Sequence, residues 1–398
     1  MTKLKIVYIT PEFLPVRGGV SVYSINLIKH ILSNDIEVHI ITTKRNIINS
    51  EKDVNYLSNE KAYIHKIVDF HDNILSHIRF QYSVCKVLYK LCSNIKFDII
   101  HSNFPVNGDI LYTLFNIRNT PVVTTIHGFS SMLKDTIKSS LQYTPSTFLD
   151  SAEKSILRYH PIFTVIERLY LQKITHAIAV SRYAAQLTSQ YIRSNKISVV
   201  YHGIDPLLFD CRERYNNEPT ILFLSRFAAH KGIYTFMKAL PLILKEIPNV
   251  RILIAGNTDN NLVTEYIRKI SRDYKDNLNF IGYIQNYVEL PSLYKKADIF
   301  VSSSFEDLLG FRLLEAMSCK CTVIATNIGG VPELISDNYN GLLVSAGNYN
   351  MLADKIIMAC QDSSLRKKLG ENARTTILER FTAEKMARNT LEIYNNVT

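Results

Sequence analysis

The sequence predicts an α/β fold made of two domains. Apolar strand-like runs alternate with helical stretches along the whole chain, and this alternation is typical of βαβ units with parallel strands. It occurs in two similar halves, which are separated by a polar segment. The chain of 398 residues is longer than one hydrophobic core usually supports, and its 46% apolar composition is ordinary for a globular protein.

The first half begins with a strand and a glycine turn. The helix after this strand is predicted to start near Gly19, because its apolar residues then share one face. Gly18 and Gly19 allow the N-terminus of this helix to approach a ligand closely. The predicted strands of this half span residues 4–10, 37–43, 63–68, 97–101, 121–127, 177–181 and 197–201.

Two helical segments of the first half connect these strands. Residues 74–95 form a basic helix, and its face toward the sheet is predicted to hold Ile78, Tyr82, Cys85, Leu88 and Cys92. Between His127 and Ala177 lies a segment of about 50 residues, too long for a structureless loop in a compact domain. We therefore expect it to be helical, with one helix over residues 161–174.

The second half repeats the alternation after a linker marked by Pro206 and the polar residues 211–219. A final helix is predicted over residues 382–395, with one apolar side. The predicted strands of this half span residues 220–225, 251–255, 278–282, 299–302, 322–326 and 342–344.

The most informative segment is residues 302–317, which lead from a predicted strand into a predicted helix. It carries three carboxylates, those of Glu306, Asp307 and Glu315, and the flexible Gly310. The junction between a parallel strand and the following helix is where open α/β sheets bind ligands, because backbone N–H groups and the helix dipole converge there.

A second junction of this kind lies at residues 221–233. Arg226 and Lys231 flank its short loop at the start of a helix. Arginine binds phosphate through a planar fork and lysine as a mobile point charge, so the pair can hold a diphosphate.

Taken in this order, the motifs of the chain resemble those of the family 4 retaining glycosyltransferases. The second half matches S-R-x-x-x-x-K-G, an acidic residue separated by seven positions from a glutamate in L-L-E-A-M, then G-G-x-P-E and N-G-L-L-V. In the first half the matching segments are residues 11–20, 125–128, 179–181 and 200–205. The resemblance covers nearly the whole chain and implies the GT-B fold, in which two Rossmann-like domains face each other across a cleft.

The resemblance also implies domain boundaries. The first domain, on the acceptor side, is expected to span residues 1–206, and the helix in residues 382–398 is expected to pack back on it. The second domain, residues 207–381, is expected to bind the nucleotide sugar.

Residue roles follow from the same resemblance. Arg226 and Lys231 are expected to hold the donor diphosphate, and Glu315 to accept hydrogen bonds from the ribose. His127, with Glu306 or Asp307, is expected to contact hydroxyls of the donor sugar. Backbone N–H groups are expected to contribute to the diphosphate site at Gly18, Gly19, Gly310, Phe311, Leu313 and Leu314.

The first acid of the motif departs from the family pattern. Alignment without a gap pairs Asp307 with Glu315, where the family has two glutamates, and Glu306 takes the first place only with a one-residue insertion. Aspartate is shorter by one methylene, roughly 1.5 Å of reach, which is enough to make or break a hydrogen bond. The sequence leaves both acids open.

The implied reaction is glycosyl transfer from a nucleotide-diphosphate sugar with retention of the anomeric configuration. Breaking the anomeric C–O bond leaves negative charge on the departing diphosphate, which the enzyme must stabilise. Two cations and helix N-termini supply positive charge, and no Asp-x-Asp triplet is present, so neither a metal nor a cofactor is expected. The six cysteines form no zinc-type spacing and are expected to be reduced thiols.

The charge distribution points to an anionic partner. Residues 1–205 hold 23 Lys+Arg and 15 Asp+Glu, a net charge of +8, against +2 for the rest. We expect a glycan or lipid-phosphate acceptor and peripheral contact with an anionic membrane. No basic cluster interleaved with aromatic residues indicates nucleic acid. Without a secretory signal or a run of about 18 apolar residues, the chain is expected in the cytoplasm, at the inner face of the membrane.

Two other classes of function remain open. A nucleotide-sugar epimerase of the same architecture would convert the donor without an acceptor. A non-catalytic protein that binds nucleotide sugars would be consistent with the altered first acid. A nicotinamide dehydrogenase is disfavoured, because neither half has G-x-G-x-x-G after its first strand.

Overall fold

The computed structural model describes residues 4–13, 18–32, 36–43, 61–67, 74–104, 108–115, 119–211, 218–257, 260–284 and 286–398. The chain divides into two units. Unit 1 consists of Met1–Ser130, Pro161–Ile204 and Thr382–Thr398, and unit 2 of Ser131–His160 and Asp205–Phe381. The predicted linker lies largely within residues 212–217, which are outside the described residues.

Strands and helices alternate as the sequence predicts. The strands are β1 Lys5–Ile9, β2 Glu37–Thr43, β3 Ala62–Ile67, β4 Ile99–Phe104, β5 Val122–Ile126, β6 His176–Ala179, β7 Ile197–Val199, β8 Thr220–Leu224, β9 Arg251–Ala255, β10 Leu278–Gly282, β11 Ile299–Ser302, β12 Thr322–Thr326 and β13 Leu342–Val344. The α-helices are α1 Gly19–Leu32, α2 Ile74–Asn94, α3 Ile110–Leu114, α4 Ser130–Ser140, α5 Ser151–Lys173, α6 Arg182–Thr188, α7 Ile233–Glu246, α8 Asn261–Asp273, α9 Leu290–Tyr294, α10 Phe311–Ser318, α11 Val331–Leu334, α12 Tyr349–Gln361, α13 Ser363–Arg380 and α14 Ala383–Val397.

Unit 1 contains a parallel sheet with the order β3-β2-β1-β4-β5-β6-β7. The central strands β1 and β5 are buried along almost their whole length, as expected for a sheet that helices cover on both faces. The direction of strand succession reverses between β1 and β4, which is the point where open α/β sheets bind ligands. The helix α14 joins this unit: the Ala383 N–H donates to the carbonyl of Ile204 at 2.8 Å.

Unit 2 contains a second parallel sheet with the order β10-β9-β8-β11-β12-β13. Its strand order reverses between β8 and β11, whose C-terminal ends lead into the two junctions singled out in the sequence. Two parallel α/β units with this topology confirm the predicted fold class.

The position of residues 131–160 differs from the prediction. The sequence placed them in the first domain, whereas their contacts place them in unit 2. The buried Phe148 ring packs edge-on against Tyr234 and Tyr266, with ring centroids 5.2 Å away in each case. Asn260 Nδ2 donates to the carbonyls of Thr147 and Leu149 at 2.7 and 2.9 Å. These partners are distant in the chain, so local periodicity could not indicate them.

Helix α5 begins ten positions earlier than predicted, at Ser151 instead of residue 161. Pro161 lies inside the helix and not at its start. Proline is favoured in the first turn of a helix and disfavoured in its interior, so this position is unusual.

The predicted buried face of α2 is partly wrong. Ile78 and Tyr82 are 57% and 67% exposed, although both were predicted to face the sheet. The buried stripe instead consists of Phe80, Val84, Leu88 and Cys92. Both stripes have helical spacing, and only packing against the sheet selects between them.

The cysteines also depart from the expectation. Cys211 and Cys319 are paired as a disulfide in unit 2, whereas the sequence predicted reduced thiols throughout. The two residues are 108 positions apart, and sequence spacing gives no sign of their proximity.

Of the helices in the described ranges, none combines the length and the apolar character needed to cross a membrane.

Candidate active site

The loops after β8 and β11 of unit 2 pack tightly against each other. Gly232 has a φ of 72°, and a Cβ added there would lie 1.8 Å from the Ser303 carbonyl oxygen. Ser303 Oγ donates to the Gly232 carbonyl at 2.7 Å, and the Phe305 N–H donates to the His230 carbonyl at 2.8 Å. Only glycine combines this backbone conformation with so close an approach. The contact brings Lys231 to the carboxylates of the other loop.

Burial and the charge of Lys231 have the largest effects on the pKa values of both Glu306 and Asp307. Burial raises the pKa of Glu306, Lys231 and Arg226 oppose this shift, and the neighbouring Asp307 adds to it. Burial likewise raises the pKa of Asp307, against the effect of Lys231. Two partly buried acids beside two cations form a concentrated charged site, as is common where ligands bind.

The two acids differ in their contacts. The Asp307 carboxylate accepts a hydrogen bond from the Leu309 N–H, and it lies so close to Gly310 that a Cβ there would be 2.2 Å from Asp307 Oδ2. The Asp307 carbonyl accepts from the Gly330 N–H at 2.9 Å. Among the described residues, the Glu306 carboxylate accepts no hydrogen bond. Asp307 therefore shapes its own loop, whereas Glu306 is available to a ligand.

The two cations differ in exposure. Arg226 is 44% exposed, and its Nε contacts Asp150 Oδ2 at 3.2 Å. Lys231 is half-buried and directly precedes Gly232, the αL residue at the N-cap of α7. Sequence analysis missed Asp150, although a D-x-x-E pattern before a helix is a recognisable N-cap signal.

Glu315 is fully buried on α10. Its Oε2 accepts hydrogen bonds from Tyr294 Oη at 2.7 Å and from Arg312 Nη1 at 2.8 Å. Its Oε1 has no hydrogen-bond partner within the described structure. The buried Tyr287 hydroxyl lies close to the same carboxylate, because burial and then Glu315, by its charge and as a hydrogen-bond acceptor, raise the pKa of Tyr287. Sequence analysis missed Tyr294 and Arg312, although Arg312 lies at the i−3 spacing of helical ion pairs.

The start of α10 does not present all the N–H groups that the sequence predicted. The N–H groups of Leu313 and Leu314 both donate to the Gly310 carbonyl, at 3.1 and 3.3 Å. The side chains of Phe311, Leu313 and Leu314 are buried. The backbone donors of Leu313 and Leu314 are thus used inside the helix, because the first turn bonds back to its cap residue.

His127 of unit 1 follows β5 and lies in a network of polar side chains. Burial, with the neighbouring His202 and His101, lowers the pKa of His127 well below its ordinary value, so the ring is neutral. Nε2 lies 3.1 Å from the Asn103 carbonyl oxygen Oδ1 and must be the donor. Nδ1, 3.2 Å from His202 Nε2, then accepts. Both ring nitrogens are engaged within unit 1. Sequence analysis did not find Asn103, and it included His202 only within the matching segment 200–205.

Gly18 and Gly19 are located at the start of α1, as predicted. Gly19 is the first residue of the helix, and the Gly18 carbonyl accepts from the Val22 N–H at 3.1 Å. A Cβ on Gly18 would be 3.0 Å from Glu12 Oε2. Residues 14–17 of the predicted glycine loop lie outside the described residues.

The structure therefore brings together Arg226, Lys231, Glu306 and Asp307, with Gly310 and Glu315 on the adjoining helix. His127, Gly18 and Gly19 belong to unit 1.

Profiles of two sequence families match the chain. The profile of glycosyltransferase family 4 matches residues 17–207, and that of glycosyl transferases group 1 matches residues 208–376. Together with the two parallel α/β units, these matches define the protein as a glycosyltransferase of the GT-B fold. The chain belongs to the family 4 glycosyltransferases, as the motifs predicted.

Three similar proteins extend over nearly the whole chain. The N-acetyl-alpha-D-glucosaminyl L-malate synthase of Bacillus anthracis is 22% identical over 396 residues, covering 96% of this chain and 95% of that protein. The sucrose-phosphate synthase structure from Thermosynechococcus elongatus has a TM-score of 0.78 at 19% identity and covers 99% of each chain. The structure of Anabaena HepE in complex with UDP and glucose has a TM-score of 0.73 at 17% identity, covering 99% of this chain and 100% of that one.

Proposed function

We propose that this glycosyltransferase moves a sugar, with retention of configuration, from a nucleotide-diphosphate sugar to a glycan or lipid-linked acceptor. The proposal rests on one observation: Arg226, Lys231 and Glu306 lie close together on two packed loops. These loops follow β8 and β11, between which the strand order of unit 2 reverses. Such a point is where α/β sheets bind nucleotides. The relative named as an N-acetyl-alpha-D-glucosaminyl L-malate synthase and the structure solved in complex with UDP and glucose support this donor class.

The proposed chemistry matches the charges of the site. The bond between the anomeric carbon and the diphosphate oxygen breaks, and negative charge develops on the diphosphate. Arg226 and Lys231 stabilise this charge, which is greater in the transition state than in the bound donor. The acceptor oxygen bonds to the anomeric carbon on the same face, and its proton passes to the departing phosphate oxygen.

We assign the contact with the donor sugar to Glu306 and the shaping of the loop to Asp307. This assignment rests on the hydrogen bond that the Asp307 carboxylate accepts from the Leu309 N–H and on its packing over Gly310. Glu315, whose Oε1 makes no hydrogen bond within the described structure, is the proposed acceptor for the ribose hydroxyls, in competition with the nearby Tyr287 hydroxyl. For His127, a direct contact with the donor sugar would require one of its two ring hydrogen bonds to open.

We further propose that the reaction needs neither a divalent metal nor a separate cofactor. Two cations beside the helix start at Gly232 can neutralise the diphosphate charge that a metal would otherwise balance. Turnover that is insensitive to EDTA is the expected result. Loss of activity on chelation, restored by Mg²⁺, would contradict the proposal.

The acceptor is proposed to be anionic. Unit 1 carries the positive excess of the chain, and L-malate in the name of the B. anthracis relative is a dicarboxylate. Contact of unit 1 with an anionic membrane belongs to the same proposal, and nucleic acid is not a proposed partner.

The test combines a binding screen with one pair of variants. UDP, GDP and their sugars are screened by thermal shift, because a bound ligand raises the melting temperature by mass action. Each charge-assisted contact is worth about 1.5–3 kcal/mol, so Lys231→Ala and Arg226→Ala should each lower turnover at least tenfold. Lys245→Ala, on the exposed side of α7, is the matched control.

Wild-type turnover in both variants would remove the diphosphate assignment. Conversion of the donor without any acceptor would indicate an epimerase. Binding of a nucleotide sugar without turnover on any acceptor would indicate a binding protein.

A further inference from the structure

We propose that Asp150 is a positioning residue for donor binding, which holds the Arg226 guanidinium so that its terminal nitrogens remain available to the diphosphate. The inference rests on the proposed function, because Asp150 acts through Arg226. It concerns a residue of unit 2 that comes from the segment before α5 and lies 76 positions from Arg226.

The contact uses the inner nitrogen of the guanidinium. Arg226 Nε lies 3.2 Å from Asp150 Oδ2, and the Asp150 side chain is only 4% exposed while that of Arg226 is 44% exposed. Within the described ranges, Nη1 and Nη2 of Arg226 have no hydrogen-bond partner. These two nitrogens form the edge that binds phosphate in a bidentate manner.

Asp150 is itself fixed by a reciprocal pair of hydrogen bonds at the start of α5. Its Oδ1 accepts from the Glu153 N–H at 2.8 Å, and Glu153 Oε2 accepts from the Asp150 N–H at 3.0 Å. This is a capping box, with each side chain satisfying a backbone donor of the other residue. One oxygen of Asp150 caps the helix and the other contacts Arg226.

Glu153 of this capping box also accepts hydrogen bonds from the loop between Arg226 and Lys231. Its Oε1 accepts from the His230 N–H at 3.0 Å and from His230 Nδ1 at 2.6 Å, and its Oε2 accepts from the Ala229 N–H at 3.2 Å. Burial alone would raise the pKa of Glu153, but the hydrogen bonds and the charge of His230, with the Asp150 N–H, lower it below its ordinary value. The loop therefore rests on an ionised, buried carboxylate that cannot move independently of Asp150.

The consequence is a pre-ordered arginine. An unrestrained arginine side chain loses much rotamer freedom when it binds a phosphate, and this loss weakens binding. With Nε held, Arg226 loses less freedom on binding, and the orientation of its free edge is set before the donor arrives.

The test uses Asp150→Asn. Asparagine caps helices as well as aspartate does, so α5 keeps its cap, but the negative charge opposite Arg226 is lost. UDP and GDP are titrated by calorimetry, and the tighter one is the probe. We expect its affinity to fall about five- to tenfold and KM for the donor sugar to rise similarly, with kcat changed less. Asp362→Asn, at another aspartate cap that accepts from the Leu365 N–H at 2.9 Å, should match the wild type.

A double-mutant cycle separates positioning from a purely structural role. If Asp150 acts through Arg226, Asp150→Asn should cause no further loss in an Arg226→Ala background. An equal loss in both backgrounds, or a wild-type affinity of Asp150→Asn while Arg226→Ala is impaired, would overturn this inference alone. Wild-type binding and turnover of Arg226→Ala, or no binding of either nucleotide, would instead refute the proposed function and the inference with it.

Discussion

Glu306 and Asp307 are neighbours in the sequence but occupy different chemical environments. Asp307 bonds to the backbone of its own loop and packs on Gly310, whereas Glu306 lies in the field of both Lys231 and Arg226. A gapless motif alignment favours Asp307 as the first acid. The structure supplies a reason to favour Glu306.

We expect Glu306→Gln to lower turnover at least tenfold, because the amide keeps the shape of the side chain and removes the charged acceptor. Asp307→Asn should keep an oxygen for the Leu309 N–H and lose less activity. Steady-state kinetics with one donor and acceptor pair compares the two variants. Loss in Asp307→Asn with near-normal Glu306→Gln would reverse the assignment, and small equal effects would favour a non-catalytic protein.

His101 is a buried histidine of unit 1 that must stay neutral in the folded protein. Its Nε2 lies 2.8 Å from Thr125 Oγ1, its Nδ1 contacts Tyr394 Oη, and burial lowers its pKa to about 3. The unfolded chain takes up a proton near the ordinary histidine pKa of 6.5, and the folded chain does not. Stability is therefore complete above that value and decreases as the pH falls toward 3.

At about pH 5 the cost from His101 should be about 2 kcal/mol of unfolding free energy relative to neutral pH. In His101→Gln this part of the pH dependence should disappear, although the variant is less stable overall because its buried partners lose contacts. Urea unfolding at both pH values measures the difference. The control is His160→Gln, which replaces a half-buried histidine of unit 2. An unchanged pH dependence of stability in His101→Gln would contradict the interpretation.

At the scale of elements, the segment 131–160 is the main departure from the predicted architecture. It contributes Phe148 to the core of unit 2 and the capping box of α5 to the loop that carries Arg226. The segment 131–160, which follows β5 of the first sheet in the chain, thus supports the proposed donor site of unit 2.

We expect Phe148→Ala to lower the unfolding free energy by about 3 kcal/mol, the cost of a cavity left by a buried aromatic ring. Phe115→Ala, which removes a ring that is 75% exposed in unit 1, should change stability little. Urea unfolding followed by circular dichroism compares them. Equal stability of the two variants would show that residue 148 does not pack in a core.

At the scale of the whole molecule, most of the net positive charge still lies in unit 1 when residues 131–160 are counted with unit 2. Unit 1 as the structure defines it holds 21 Lys+Arg and 13 Asp+Glu, again a net charge of +8. Helix α2 contains no acidic residue, and Tyr82 and Tyr89 on it are 67% and 59% exposed. Exposed aromatic rings beside lysines are typical of surfaces that bind membrane interfaces.

We expect the protein to co-sediment with anionic vesicles and not with neutral ones. Each lysine or arginine near such a surface is worth about 1 kcal/mol, and binding should weaken toward 1 M salt, where the Debye length is about 3 Å. Reversing Lys86 and Lys90 of α2 to glutamate should reduce binding at least tenfold. The same change at the exposed Lys295 and Lys296 of unit 2 is the control.

Binding that ignores lipid charge and salt would refute the membrane proposal. Activity on a neutral soluble sugar without vesicle binding would do the same and leave the donor chemistry unaffected.

The sequence by itself determined the strands, the family and the two loops of the candidate site. Strands β9 to β13 have the predicted bounds. The buried strands β11 and β12 are mainly apolar runs that end in polar residues, and this signal is local, whereas the edge strand β10 is largely exposed. Gly232 could be located in the same way, since the motif contains it. These features depend on residues only a few positions apart.

Only the tertiary structure decided which distant residues meet. Glu153 and His230 are 77 positions apart, and His127 and His202 are 75 apart. It also selected the buried stripe of α2 and placed residues 131–160 in unit 2. The physical reason is that burial and hydrogen bonding are satisfied by whichever partners the fold brings within a few ångströms, and periodicity along the chain contains no information about which partners those are.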